Sequence, residues 1–164
     1  MTSTEESVDG FDAILDGLDR EIGALTRDED RLAKSLETAR AAAVAERGFV
    51  LMRAEGAEPR VVATHNVDRD TLWTTGEISQ TIVNKVFDEG EALISHNAMA
   101  DPRFSETTSV VLSGLRSVLC VPFKQEGEVR GLLYLDNRLQ SGAFSQKHLD
   151  LVRRVASRVS RKLT

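Results

Sequence analysis

A single cysteine, Cys120, in 164 residues excludes an internal disulfide and any zinc site built from several thiolates. The three histidines, His65, His96 and His148, show none of the short spacings through which a helix or hairpin presents a metal. No stretch approaches the roughly 18–20 consecutive apolar residues of a membrane-spanning helix. The first ten residues, MTSTEESVDG, are acidic and polar, where a secretory signal is basic and then apolar. There is no glycine-rich phosphate loop, no Ser/His/Asp set in recognisable context, and no carboxylate pair distinct from ordinary surface acids. No residue is therefore assigned to catalysis and none to a metal, and the cofactor is unknown. A net charge of −5 argues against a primary nucleic-acid role. The cytoplasm is the expected address, with neither membrane nor nucleic acid as a partner.

What the chain does contain is a normal core: 41% apolar residues beside 29% charged ones. Its centre is Leu115 to Asn137, LRSVLCVPFKQEGEVRGLLYLDN. The pattern predicts strands over 115–124 and 129–136, joined by a loop centred on Gly127. Val118 to Val121 and Leu132 to Leu135 are apolar at every position, and burial on both faces is the reading such runs support. Pro122 has no N–H to give a ladder, so a bulge or a missing bond is expected beside it. Earlier in the chain, GFVLMRA (48–54) and RVVATHN (60–66) read as an antiparallel pair around the turn EGAEP. Gly48 is either a left-handed helix terminator or the strand entry. Ser79 to Glu89 reads as a helix with Ile82, Val83, Val86 and Phe87 on its apolar side, closed by Gly90. A short strand EALIS (91–95) follows. Then comes a long connection over 96–114, with a short helical piece expected around Val110–Leu112.

Both ends of the chain read as amphipathic helix. Val8, Phe11, Leu15, Leu18, Ile22 and Leu25 alternate spacings of three and four, and Leu32, Leu36 and Ala39 keep that frame across Glu29. The segment Thr26 to Asp30 also fits a break between two helices. From Ser145, the residues Leu149, Val152, Ala156, Val159 and Leu163 repeat the spacing. Residues 1–25 carry seven acids and one arginine, while 146–164 carry six Lys or Arg and one Asp. Opposite charge on two such helices suggests a bundle, within one subunit or across two. Phe11, Leu15, Leu18, Ile22, Leu25, Val152, Val159 and Leu163 are the candidate dimer-interface residues. The seam fits a helix packed on its own domain equally well.

AERGFVLM (45–52), DPRF (101–104), GLRSVLCVPF (114–123), GEVRGLLYLDN (127–137) and GAFSQKHLDLV (142–152), in that order, resemble a GAF domain of the bacterial signalling type. The resemblance covers about residues 30–164, which leaves 1–30 as an N-terminal amphipathic extension and 31–164 as the domain. It implies an α+β fold with an antiparallel sheet of five or six strands. Helices from the two chain ends cover one face, and the irregular 65–114 region covers the other around a small-molecule pocket. It also implies a homodimer formed through the terminal helices, with a further signalling protein as candidate partner. The function it implies is sensory or regulatory and not enzymatic, and the alternative is a ligand-free module for dimerisation or docking. His65, Asn66, Trp73, His96, Phe104, Arg116 and Tyr134 are the pocket candidates, as polar or aromatic residues bordering that side.

Several tempting features carry less than they promise. Free methionine sulfoxide reductases with this type of fold use several cysteines, and bilin-binding members place His after the attaching Cys. Cys120 stands alone and is followed by Val121, so it reads as an inert core thiol. The letters of NKVFDE (84–89) echo a cyclic-nucleotide motif, but they are contiguous on an amphipathic helix and read as core plus solvated charge. His148, in the first turn of the last helix, reads as solvated. Asp101 and Arg103 read as a turn and a local ion pair that pin the long connection.

Overall fold

The computed structural model describes residues 3–70, 80–104 and 114–164, with side chains from Gly10 onward. Five strands, β1 (Arg47–Met52), β2 (Arg60–His65), β3 (Leu93–Ser95), β4 (Ser117–Gln125) and β5 (Glu128–Asn137), form one antiparallel sheet in the order β2-β1-β5-β4-β3. Four helices stand among the described residues: α1 (Ser3–Ala24), α2 (Asp28–Ala43), α3 (Gln80–Glu89) and α4 (Gln146–Ser160). The predicted helical piece at Val110–Leu112 and the Ser79 cap lie outside the described residues.

β4 and β5 form the hairpin expected at the centre. Glu126 and Gly127 both adopt positive φ between the paired residues Gln125 and Glu128, the conformation of a two-residue turn that matches strand twist. β5 lies between β1 and β4, so its alternate side chains feed two cores. Leu133 and Leu135 join the cluster under α1, α2 and α4, whereas Leu132 and Tyr134 join Phe49, Phe104, Leu115 and the α3 residues Ile82, Val83, Val86 and Phe87. The unbroken apolar runs thus reflect a sheet covered on both sides. Lys85, by contrast, reaches Glu89 in an exposed pair at 2.7 Å, so the NKVFDE letters separate into core and solvated charge.

Pro122 is paired with Leu132, and the bulge falls one step on, between Phe123 and Lys124. β3 pairs only with Val118 to Cys120, so the outer side of β4 from Val121 onward has no partner among the described residues. A proline, a lysine and a bulge together disfavour pairing with another chain along that bare edge.

Of the two readings of Gly48, strand entry holds and helix terminator does not: the left-handed residue that ends α2 is Val44, at φ 53°. Gly48 lies inside β1, where a Cβ would come within 2.9 Å of both the Leu36 and Leu135 side chains; its bareness lets α2 approach the sheet. His148 is half-buried and not simply solvated: the Ser145 N–H donates to its Nδ1 at 3.1 Å, completing a capping box at the start of α4.

The chain does break after α1, at residues 25–27. Arg31 holds the break, donating to the carbonyls of Ile22, Leu25 and Lys162 and so satisfying orphan acceptors at a helix end. The opposite charges of the two terminal helices meet within the chain, as Asp19–Arg158 and as Asp12–Arg154 at 3.9 Å. These exposed pairs contribute little. Burial of Leu15, Leu18 and Ile22 holds α1 down, at about 1.5–3 kcal/mol for each such side chain. Of the candidate dimer-interface residues, Leu15, Leu18, Ile22, Val152 and Val159 are buried within their own chain. Phe11, Leu25 and Leu163 are half-buried, with Phe11 and Leu163 packed on the same cluster.

Candidate functional site

The face of the sheet under α3 is floored by aromatic and charged groups in register. Arg47 and Asp136 are direct cross-strand partners at one end of the β1–β5 ladder, and Phe49 and Tyr134 are the next pair on the same side. Phe49 stacks on Tyr134 with ring centroids 4.4 Å apart. The Arg47 guanidinium grips the Asp136 carboxylate with two donors, Nε to Oδ1 at 2.8 Å and Nη2 to Oδ2 at 2.6 Å. The Tyr134 hydroxyl donates to Oδ2 at 2.7 Å. All three residues are buried. Burial pushes the Asp136 carboxyl up from its usual value, against the pull of Arg47 and Tyr134, and drives the Tyr134 phenol up as well. The network is closed on itself: each carboxylate oxygen accepts from the Arg47 guanidinium, and Oδ2 also from Tyr134, so it positions the sheet floor.

The connection after β3 is tied down as expected. Asp101 Oδ1 accepts from the Arg103 backbone N–H and Nε, and Oδ2 accepts from Arg103 Nη2 and from the Ser95 hydroxyl at 2.7 Å. Arg103 Nη2 also donates to the Ile94 carbonyl at 2.9 Å, stitching the turn to β3. The Arg103 side-chain hydrogen bonds, reinforced by Ser95, hold the Asp101 carboxyl below the usual carboxylate range. Ser117 makes the second stitch, donating to the Gln140 carbonyl at 2.7 Å and accepting from the Ala143 N–H at 3.0 Å.

Of the seven pocket candidates, the structure brings two to this floor. Phe104 and Tyr134 are both buried in the cluster beneath α3. Arg116 is half-buried, and its backbone pairs with Asn137 and Ala98. His96 is exposed, and its carbonyl receives the Gly142 N–H at 2.8 Å. Asn66 is an exposed turn residue at φ 59°, its amide donating to the Glu46 carbonyl. His65 lies beside α2 on the opposite face: strand alternation puts it with Ala63, and the register shift opposite Val50 and Leu51 sets both apart from Val61, which packs on the other cluster. Trp73 lies outside the described residues. Sequence reasoning missed Arg47 and Asp136. The signal was a lone charge at the start of one apolar strand and the end of another, meaningful only once β1 is set beside β5.

Cys120 is buried on the same face, and burial alone pushes its thiol far up, away from the range where a thiolate forms at neutral pH. No group of His, Cys, Asp or Glu among the described residues is arranged to hold a metal. No helix among them is long and apolar enough to cross a membrane.

The family model for the GAF domain matches residues 29–163. The chain belongs to the GAF family. This GAF domain is 28% identical over 93 residues to hybrid signal transduction histidine kinase G of Dictyostelium discoideum, which is 57% of this chain and only 3% of that kinase. The GAF domain of an Acinetobacter phosphoenolpyruvate-protein phosphotransferase superposes with a TM-score of 0.73 at 18% identity, covering 99% of this chain and 93% of that one. The free methionine-R-sulfoxide reductase of Neisseria meningitidis, solved with its substrate, gives 0.71 at 13% identity over 93% of this chain and 87% of that one. Likeness at that level of identity establishes the GAF fold. GAF domains occur in signalling proteins, as in the kinase above, and the fold also supports at least one enzyme.

Proposed function

We propose that this chain is a non-enzymatic sensory or regulatory GAF domain, binding a small molecule and signalling through a homodimeric helix bundle in the bacterial cytoplasm. The observation that carries the reading is β5, whose successive residues Leu132, Leu133, Tyr134 and Leu135 alternate between the two buried clusters. Close-packed interiors transmit displacement. A molecule that displaced Phe104 and the connection above it would therefore press, through one strand, on the layer formed by α1, α2 and α4. It would do so only to the extent that it binds one arrangement better than the other. The sealed Cys120 supports the non-enzymatic half, since reductase chemistry on this fold needs accessible thiols.

A thermal-shift screen against nucleotides, amino acids and haem, with native mass spectrometry of the purified protein, tests the sensor. A ligand at 100 times its Kd adds about 2.7 kcal/mol, which raises Tm by several degrees. Sustained reduction of free methionine sulfoxide by dithiothreitol in the presence of the protein would overturn the non-enzymatic reading. Sedimentation of the chain with and without residues 1–30 tests the seam: equal dimerisation of both removes α1 from it.

One observation favours a second reading, a ligand-free docking module. Phe49, Phe104 and Tyr134 are buried side by side on the floor that a ligand would occupy. A screen in which nothing binds, with an unchanged dimer, would select it.

A further inference from the structure

Four consecutive residues, Gly142 to Ser145, lead into α4, and each is tied down. The Gly142 N–H donates to the His96 carbonyl at 2.8 Å, and the Ala143 N–H to the Ser117 hydroxyl at 3.0 Å. Phe144 is buried in the cluster under the terminal helices, and the Ser145 N–H donates to His148 Nδ1 at 3.1 Å. Three of these anchors do not titrate near neutral pH. The fourth is an imidazole nitrogen, which accepts a hydrogen bond only while it carries no proton. The Phe144 ring lies edge-to-face against that imidazole, with centroids 6.4 Å apart. α1, α2 and β4 pack on α4, and none of them gives His148 a counterion among the described residues. Asp12 and Asp19 of α1 meet Arg154 and Arg158, further along α4. On α2, Lys34 pairs with Glu21 and Glu37, Asp28 and Arg31 hold the last residues of the chain, and Arg40 stands by His65. Glu46 is bound to Arg138, and Lys124 of β4 lies beside the C-terminal half of α4. Lys147 and Asp150 are the charged neighbours along α4 itself. Burial alone lowers the imidazole pKa from its ordinary value.

We propose that His148 is a pH-sensitive latch at the joint between the sheet and the terminal-helix layer: a proton on Nδ1 releases the Ser145 N–H and loosens the first turn of α4. Two effects act in the same direction. The imidazolium turns a donor towards the N–H that the neutral ring accepted, and its charge stands at the positive end of the helix dipole. The fold favours the neutral ring. The cap is therefore fully present above the unfolded histidine value of about 6.5 and is lost as pH falls below it. Mild acidification loosens the tie between α4 and the residues stitched to His96 and Ser117. The two buried clusters contain no histidine and are left as they are. The latch lies in the joint itself and needs no ligand on the sensor face.

NMR of the full 15N-labelled chain between about pH 7.5 and about pH 5.5 tests the latch across the histidine range. At the upper end the His148 ring should be the Nε2–H tautomer with Nδ1 bare, and it should titrate below about 6.5. Hydrogen-exchange protection of the Ser145 and Leu149 amides, corrected for the intrinsic pH dependence of exchange and referred to Val155, should fall roughly fivefold in step with the ring. His148→Gln, whose amide oxygen accepts the same bond and does not titrate, should keep that protection at both ends of the range. An Nδ1–H tautomer, a ring titrating above about 6.5, or equal protection of Ser145 at both ends in the native chain would overturn the proposal. So would the same fall in His148→Gln. The tautomer, the ring titration and the native protection need no variant, so a poorly folded His148→Gln protein does not leave the question open.

Discussion

Replacing Asp136 with Asn puts the buried network of the sheet floor to a quantitative test. The carboxylate is fully buried, the Arg47 side chain is 2% exposed, and two guanidinium donors and one phenol converge on it at 2.6–2.8 Å. Asn removes the negative charge and leaves the guanidinium buried without a counterion, and its amide N–H faces other donors. Breaking a buried pair in this way costs about 3–5 kcal/mol. Domains of this size are stable by only about 5–15 kcal/mol, so about a fifth or more of the total should go. Tyr134→Phe removes one hydrogen bond to a carboxylate that Arg47 still holds, and should cost about 1.5–3 kcal/mol. The apolar triple replacement, Arg47→Met with Tyr134→Phe and Asp136→Leu, leaves no orphan and should recover stability to within about 1 kcal/mol of the native chain or exceed it. Urea unfolding followed by far-UV circular dichroism measures all three, with an unchanged m-value showing that the unfolded states match. A loss below about 1 kcal/mol for Asp136→Asn, or a triple variant less stable than that single one, would refute the reasoning.

Gly131 stands where a Cβ would collide with the Leu51 carbonyl and the Met52 sulfur, so Gly131→Ala should lower the urea midpoint sharply or prevent folding. Val44 is a β-branched residue at φ 53° with its side chain in solvent, and Val44→Gly should raise stability by about 1 kcal/mol in the same assay. Gly17 in α1 has only the Arg20 side chain within 4 Å of a built Cβ, and Gly17→Ala should add up to about 1 kcal/mol. Asp101 is held below its ordinary value, first by the Arg103 side chain, so its contribution is present above the unfolded carboxylate value and is lost as pH falls below about 3.9. Stability against pH should therefore fall less steeply on the acid side in Asp101→Asn, which starts less stable at neutral pH; parallel acid limbs would contradict the assignment.

Much of the fold was legible because its signals are local. The runs Val118–Val121 and Leu132–Leu135 announced strands covered on both faces, and the i, i+3, i+4 stripes announced α1, α2 and α4. Asp101-Pro102 announced a turn, and the structure supplies its bonds. Other features depend on which strands become neighbours. Arg47 and Asp136 are 89 residues apart and unremarkable until β1 pairs with β5. The side His65 takes, with Ala63 and towards α2, was not legible because one bulge in β2 reverses the parity between Val61 and Ala63. His148 looked solvated because a capping histidine differs from an exposed one only in its hydrogen bond.

The sequence by itself determined the elements, their order, the two-sided burial of the central hairpin and the family, since each follows from periodicity or from motifs in sequence order. It determined that opposite charges would bring the terminal helices together, but not in whose company. Tertiary packing buries Leu15, Leu18 and Ile22 within the chain, because a short break at residues 25–27 lets α1 fold back on α2 and α4. Packing also decided which polar groups are satisfied and which are not. A closed Arg47–Asp136–Tyr134 triad and an unpaired Arg40 donor arise from the same side-chain types, and only three-dimensional neighbours distinguish them.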